Sequence, residues 1–485
     1  MSWKPVRYRR TWVLPAYERR LVNRFTAGHS MAVARELRRL GGTEWFRRQL
    51  APASIDDSHY RNTATWWPTI NSTPQQIHAA NQQKTIELWQ AAQHYQSWVL
   101  VRRLTSKRHL LEVMTEFWEN HFHVPLVGSA HMVFRVDYGK QIRARALGKF
   151  SDLLITCVLH PAMGVYLDNG DSTRKAPNEN LGRELLELHT VGLESGYSEA
   201  HVRDSAYLLT GYRATVWKEV REWYDPASHW TGPVRVLDFT DANADPDGRE
   251  STLRYLRYLA RHPSTARRIC HKLATRFVSD NPPAALVNRL VKVYLDHDTA
   301  IAPVLLSLVA SKEFRTAART KVRTPEEDVV ASYRALGVGV RRPTGEAPAT
   351  KAMIWSTSAQ GMAPLAWPRP DGRPDQASAW SSPSRMLASL RMHYGLAGAW
   401  WPDAAVSFVP PAARLPAKRI RFDHFVDHLS CTVLGVPATA ALLQACCQAT
   451  GTGRYSVITA QHPVVRWLMP RLLVTLVDSP THMTR

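Results

Sequence analysis

The sequence predicts an all-α fold, a multi-helix globular bundle with long Pro/Trp-rich loops, on three observations. Apolar residues recur at three and four spacing through most of the chain, strand-like alternation is confined to one stretch, and the composition is that of an ordinary globular protein. With 485 residues, 45% of them hydrophobic and 21% charged, the chain has the apolar material for a large core. Its 17 tryptophans supply bulky anchors for contacts between helices.

Helical periodicity marks 31–40, 76–104, 107–122, 138–159, 178–190, 198–210 and 252–262, and continues through 264–277, 283–296, 300–308, 326–336 and 385–394. The exception is 214–239, where Val, Trp and Tyr alternate around Asp225-Pro226 and Thr231-Gly232-Pro233, so at most a short β-hairpin is expected there. Two stretches read as loops, 339–350 from its Gly, Pro and Arg content and 364–384 from its prolines and serines. Trp367 and Trp380 are expected to pin the second loop against the helices. These features divide the chain into an N-terminal helical region (1–106), a central helical core (107–338), a Pro/Gly/Trp-rich loop region (339–384) and a C-terminal helical region (385–485).

The charge balance favours anionic partners. With 62 Lys plus Arg against 41 Asp plus Glu, the net charge of +21 concentrates anions near the surface, whether polymer, substrate or nucleic acid. The basic residues are scattered (Arg7, Arg9, Arg10; Arg19, Arg20; Arg102, Arg103; Arg267, Arg268; Arg341, Arg342), and no helix-turn-helix, zinc-finger or RNA-binding signature accompanies them. A solvated Arg-rich surface is therefore weighted above a dedicated nucleic-acid face. Five cysteines without CxxC spacing indicate neither a disulfide framework nor a Cys-rich zinc site, and the adjacent Cys446 and Cys447 read as core. The basic start lacks the apolar run of an export signal, and Arg466, Pro470 and Arg471 interrupt 464–477, which is too short for a membrane span. A cytoplasmic chain is the expectation that follows.

Local chemistry accounts for many polar residues. Asn178 and Ser198 stand where N-caps belong, Tyr197 and Val202 where a hydrophobic staple belongs, and Gly192 and Gly211 where helices stop. His160-Pro161 and His262-Pro263 fit N-caps followed by proline at the first helical position, and His271 beside Lys272 fits a half-exposed packing role. A second set is not so explained. Asn180, Glu184 and Glu187 fall at i, i+4 and i+7 with Arg183 beside them, next to the apolar stripe Leu181, Leu185 and Leu188. Upstream, Leu110, Met114, Phe117 and His121 share an inward face, while Glu119 and His123 lie on another.

A buried His121 must find a partner, which Glu184 or Glu187 could supply, and one imidazole with two carboxylates could hold a divalent metal ion between helices. An ordinary ion pair, such as Arg183 with Glu187 at i, i+4, is the competing use of the same residues. No HExxH, GxSxG, P-loop, GxGxxG, kinase or calcium-loop pattern occurs.

HPAMGVYLDN (160–169) followed by PNENLGRELLELHTVGLESGYSEAHVRDSAYLLTGY (177–212) resembles the central motif of the domain of unknown function 1800 family, which is bacterial and all-helical. FWENHF (117–122), HPSTARRICHKLATRFVSDNPP (262–283) and, more weakly, the Trp-rich loop from 364 to 380 are similar to that family's other segments, in order, from about residue 20 onward. The resemblance implies an all-helical fold and no established reaction. It also implies a possible partner from a phosphatase-like family often encoded beside relatives. Glu119 stands where the family usually has a second histidine, and the export signal of many members is not evident.

Two functions are compatible with these residues. One is a metal-assisted enzyme in which His121, Glu184 and Glu187 bind a divalent ion and Glu119, Asn180 and Arg183 line the pocket. The other is a non-catalytic helical scaffold that binds a partner protein or an anionic polymer through its basic surface, the stripe only locking helices together.

Overall fold

The computed structural model describes residues 11–126, 130–345 and 348–485. Arg7, Arg9 and Arg10 of the basic start lie outside the described residues. Helices dominate, and the strands form only two-stranded ladders, so the chain is mostly all-α.

Most predicted helices form close to their expected limits, among them His109–His121, Pro263–Phe277, Ala284–Asp296 and Pro325–Leu336. Two predicted long helices are each divided. The 76–104 pattern becomes Pro74–Gln82 and Leu88–Thr105, separated at a turn in which Lys84 has φ 55. The 138–159 pattern becomes Met132–Arg145 and Phe150–Val158, with the Gly148 N–H donating to the Arg145 carbonyl at the break. Apolar periodicity continues through both breaks because both halves face the same core, which is why the pattern alone conceals them.

The stretch expected to hold one hairpin holds two. Tyr212–Thr215 pairs with Arg221–Tyr224, and Val234–Val236 with Phe239–Asp241, both antiparallel. Two further ladders of two residues each, Gly339–Val340 with Val406–Ser407 and Ile420–Arg421 with Val457–Ile458, lie beyond the predicted strand region.

Capping follows the local chemistry. His160 Nδ1 accepts from the Ala162 N–H at 3.1 Å, His262 Nδ1 from Ser264 at 3.2 Å and Asn178 Oδ1 from Asn180 at 2.9 Å. Cys446 is buried and Cys447 half-buried, and the cysteines are free thiols. No helix among the described residues is long and apolar enough to cross a membrane.

Two apolar cores organise the chain. The first draws on residues from Leu14 to Phe314, including Trp45, Trp118, Phe122 and Phe150, and the second on Val329, Tyr333, Phe422, Phe425, Leu472 and their neighbours. Between them runs a buried ion network. Thr324 caps the Pro325–Leu336 helix, its N–H donating to Glu327 Oε2 at 3.0 Å, and so three consecutive carboxylates, Glu326, Glu327 and Asp328, are buried at that helix's positive end.

Arg276 is the network's hub, 2.5 Å from Glu116, 2.8 Å from Glu327 and 2.8 Å from Asp375. Arg485 reaches Glu327 at 3.0 Å and Asp375 at 3.2 Å, and Arg103 reaches Glu326 at 2.6 Å. Lys321 lies 3.1 Å from Asp375, and Arg373 pairs with Glu116. Burial alone would depress the Arg276 guanidinium, but Glu327 and Asp375 outweigh it and hold the group above its usual range.

The 364–384 loop is anchored partly as expected. Trp380 is buried and donates to the Pro374 carbonyl at 2.9 Å. Trp367 is only half-buried, and the firmer hold comes from Asn120, which accepts from the Arg373 N–H at 2.8 Å and donates to the Arg373 carbonyl at 2.9 Å.

Replacing Arg276 removes one cation from two buried carboxylates, Glu116 and Glu327, and from the half-buried Asp375. Arg276→Met is therefore expected to cost about 3–5 kcal/mol in a urea unfolding titration; a loss below about 1 kcal/mol would mean that the network relaxes around the gap.

Candidate active site in a cationic cleft

The Pro263–Phe277 helix forms one wall of a cleft of about 1210 Å³, which is also lined by residues of the His109–His121 helix, the 187–195 segment and the 367–376 loop. Arg268, Lys272 and Arg276 recur at i, i+4 and i+8, so one stripe of that helix faces the cleft with cations. Arg276 is neutralised by the ion network, whereas Lys272 has no carboxylate within ion-pair distance among the described residues. Arg268 donates to the Leu188 carbonyl at 3.2 Å, and Gly192, with φ 80, gives it room: a Cβ there would lie 2.8 Å from the guanidinium.

His121 stands behind Lys272. Its ring and that of His189 exchange contacts with each other's backbone, His121 Nε2 with the His189 carbonyl at 3.1 Å and His189 Nδ1 with the His121 carbonyl at 3.1 Å. Each of those nitrogens must therefore carry the proton, which leaves His121 Nδ1 as an acceptor facing Lys272 Nζ at 3.0 Å. Burial, reinforced by Lys272, holds the His121 imidazolium well below its usual range, so the ring is neutral at pH 7. His189 is pulled down to about 3 by burial as well, and its Nε2 is buried without a hydrogen-bond partner.

Lys272 is half-buried by exposed surface, yet protein surrounds its amine closely enough that burial is the main cause of its shift. Burial and the adjacent Arg268 bring it down to about 7, opposed only by Asp371. The result is an amine balanced between its charged and neutral forms at physiological pH, facing a cleft that admits solvent.

The residues singled out from the sequence are distributed over three environments. His121 and Glu187 line the cleft. Glu184 does not line it but lies close enough to Glu187 and Asp371 that burial, and then these two carboxylates, raise its pKa. Tyr197 donates to Glu187 at 3.4 Å.

Asn180 and Arg183, expected to line the pocket, do not: Asn180 is exposed outside the cleft, and Arg183 pairs with Glu199 at 2.6 Å and Glu179 at 3.3 Å, not with Glu187 as the competing reading had it. Glu119 is buried elsewhere, accepting from Tyr95 at 2.8 Å and Arg135 at 3.1 Å. The partner expected for His121, a carboxylate from the motif helix, is instead the His189 carbonyl. That carbonyl is presented because the Glu179–Glu184 helix continues into a π turn, Leu185–His189.

Sequence patterning does not single out Lys272 or His189 as site residues. The signal for Lys272 was present as the cationic row at four-residue spacing; that for His189 was not, since a π turn shifts it off the face that helical counting assigns.

The fold and cleft thus define a mostly helical protein with an open cleft, one wall of which carries a row of cations. The family model described as "Protein of unknown function (DUF1800)" matches residues 20–484, and the chain belongs to that family. No curated protein and no solved structure matches it.

The depressed amine has a consequence for stability. Between pH 10.5 and about 7 the unfolded chain takes up a proton at Lys272 that the folded chain does not, so the wild type loses stability as pH falls through this window; below it both states are protonated and the cost is complete. Lys272→Met is expected to be more stable than wild type at pH 7, with the difference shrinking toward pH 10, in thermal unfolding curves at both pH values. A difference independent of pH would contradict the assignment.

Proposed function

We propose that the chain is an enzyme that binds an anionic substrate in this cleft, with Arg268 and Lys272 supplying the complementary charge and Lys272 acting as the acid–base group. The observation that carries the reading is a desolvated lysine bonded to a neutral imidazole, beside an arginine, with no carboxylate partner among the described residues. A buried cation without a counter-ion is costly, and an arriving phosphate or carboxylate would supply what is missing. The same arrival raises the lysine's pKa, so the amine takes up a proton as the anion binds and can return it to a leaving or developing oxyanion.

His121 is a positioning residue here. By accepting one N–H it directs the remaining valences of the amine toward the cleft, and its own ring is held by a backbone carbonyl. The Glu187 side of the cleft is acidic, so a bound substrate meets charge of both signs across a short span.

A metal-assisted version of this chemistry has less behind it: Glu187 and Asp371 raise the Glu184 pKa together with burial, yet His121, Glu184, Glu187 and Asp371 are not among the described residues whose ligand atoms gather within 4.8 Å of one another. His121 is poorly placed to join such an ion, because both ring nitrogens are engaged. The scaffold alternative uses the same cationic wall for an anionic polymer, but it assigns no role to a lysine depressed to near neutrality.

Competitive labelling tests the reading. At pH 7.5 an amine-reactive acylating reagent is expected to modify Lys272 at least about tenfold faster than exposed lysines, because more of it is in the neutral form. Inorganic phosphate or pyrophosphate should slow that labelling, and Lys272→Met should weaken binding of the same anions. If Lys272 reacts no faster than surface lysines and the variant binds phosphate as the wild type does, the assignment fails.

A further inference from the structure

Away from the cleft, beneath the second apolar core, Asp328, His393 and His482 bring one ligand atom each to within 4.8 Å of one another, and all three side chains are buried. They come from three separate elements: Asp328 from Pro325–Leu336, His393 from Pro383–Ala397 and His482 from Pro480–Met483. Asp328 Oδ1 is 3.3 Å from His393 Nε2 and 4.0 Å from His482 Nε2. A tetrahedral zinc site with bonds of about 2.0–2.1 Å needs ligand separations of about 3.3–3.4 Å, so the group is close to coordination size as it stands. Ser332, one turn from Asp328 on the same helix, hydrogen-bonds each Nε2 through its hydroxyl at 2.9 Å, so the two imidazoles converge on one point beside the carboxylate.

Two features distinguish this group from an ordinary buried hydrogen-bond cluster. Asp328 Oδ1 is fully buried and has no well-aligned hydrogen bond, its nearest partner being His393 Nε2 in an ion-pair contact at 3.3 Å, although the other oxygen of the same carboxylate accepts from Ser389 at 2.5 Å. An unsatisfied carboxylate oxygen in a dry interior is costly unless something else fills its coordination. His393 Nδ1 lies 2.7 Å from Asp478, the arrangement in which a carboxylate holds a ligating imidazole in its Nδ1–H form, and its Nε2, bonded to the Ser332 hydroxyl and facing Asp328 Oδ1, is the nitrogen an ion would take in place of those contacts.

We propose that Asp328, His393 and His482 bind a divalent transition-metal ion of the zinc class, with Asp478 orienting His393. Two nitrogens and one oxygen are the donor set that zinc accepts. The site is closed, with Arg385 3.9 Å from the far oxygen of Asp328 and Arg323 donating to the His482 carbonyl at 2.8 Å, so its role is structural. The ion would clasp the 480–483 turn to the two helices that frame the second core. It is independent of the cleft chemistry and of His121.

The full chain, purified without an affinity tag and stripped with a chelator, is titrated with zinc alone and, separately, with cobalt(II). One zinc per chain, a rise in Tm on zinc addition and the visible absorption of tetrahedral cobalt(II) are expected. His482→Phe should abolish all three, and Asp478→Asn should weaken zinc binding about 10–100-fold while leaving the stoichiometry. Glu187→Gln in the cleft should change none of them. Absence of stoichiometric zinc and of the cobalt spectrum in the folded wild type overturns the proposal whether or not the variants fold. So does an unchanged zinc response in a folded His482→Phe chain.

Discussion

The buried ion network centred on Arg276 is the constraint on which the rest of this structure depends. Charges taken out of water stabilise only when their partners and geometry are complete, and here the partners are drawn from distant parts of the chain. Glu116 belongs to the upstream helix, Arg276 to the cleft helix, Glu326 and Glu327 to the capped start of Pro325–Leu336, and Asp375 to the long loop. Completing one set of contacts therefore fixes two apolar cores and the loop relative to each other. Hydrophobic contact alone, being non-directional, would not set that register.

The cleft takes its character from this arrangement. Arg276, at one end of the cationic row, is satisfied by the network; Lys272, one turn earlier, is not, and its nearest side-chain contact is a neutral ring. The difference between a fully paired cation and an amine without a carboxylate partner among the described residues, on one helix, is thus a difference in the carboxylates within reach. The loop that brings Asp375 to Arg276 also brings Asp371 toward the cleft, so the same segment closes the network and tunes the site.

Helix content and caps were legible in the sequence because both are local: periodicity reports burial, and Asn178, His160 and His262 report helix starts. The family resemblance was legible for the same reason, as contiguous motifs. What was not legible arises from long-range pairing. Arg276, Glu327 and Arg485 carry no local signature of meeting, and Arg183 had a carboxylate at i+4 yet pairs with Glu199 on the next helix. His121 was placed correctly on an inward face, but its partners depended on a π turn that helical counting does not anticipate. The second hairpin within 214–239 was hidden because alternation marks strands without separating one pair from two.

The exchange between His121 and His189 separates two properties that side-chain contacts usually couple. Lys272 is aimed by an imidazole whose own anchor is a main-chain carbonyl, so no exchange of side chains on the motif helix can remove that anchor. Only a change in the path of the backbone through Leu185–His189, such as loss of the π turn, would do so. The aim of the amine is thus carried by the path of the main chain, while its charge balance is carried by two side chains of the cleft wall, Arg268 and Asp371, so the two can change independently.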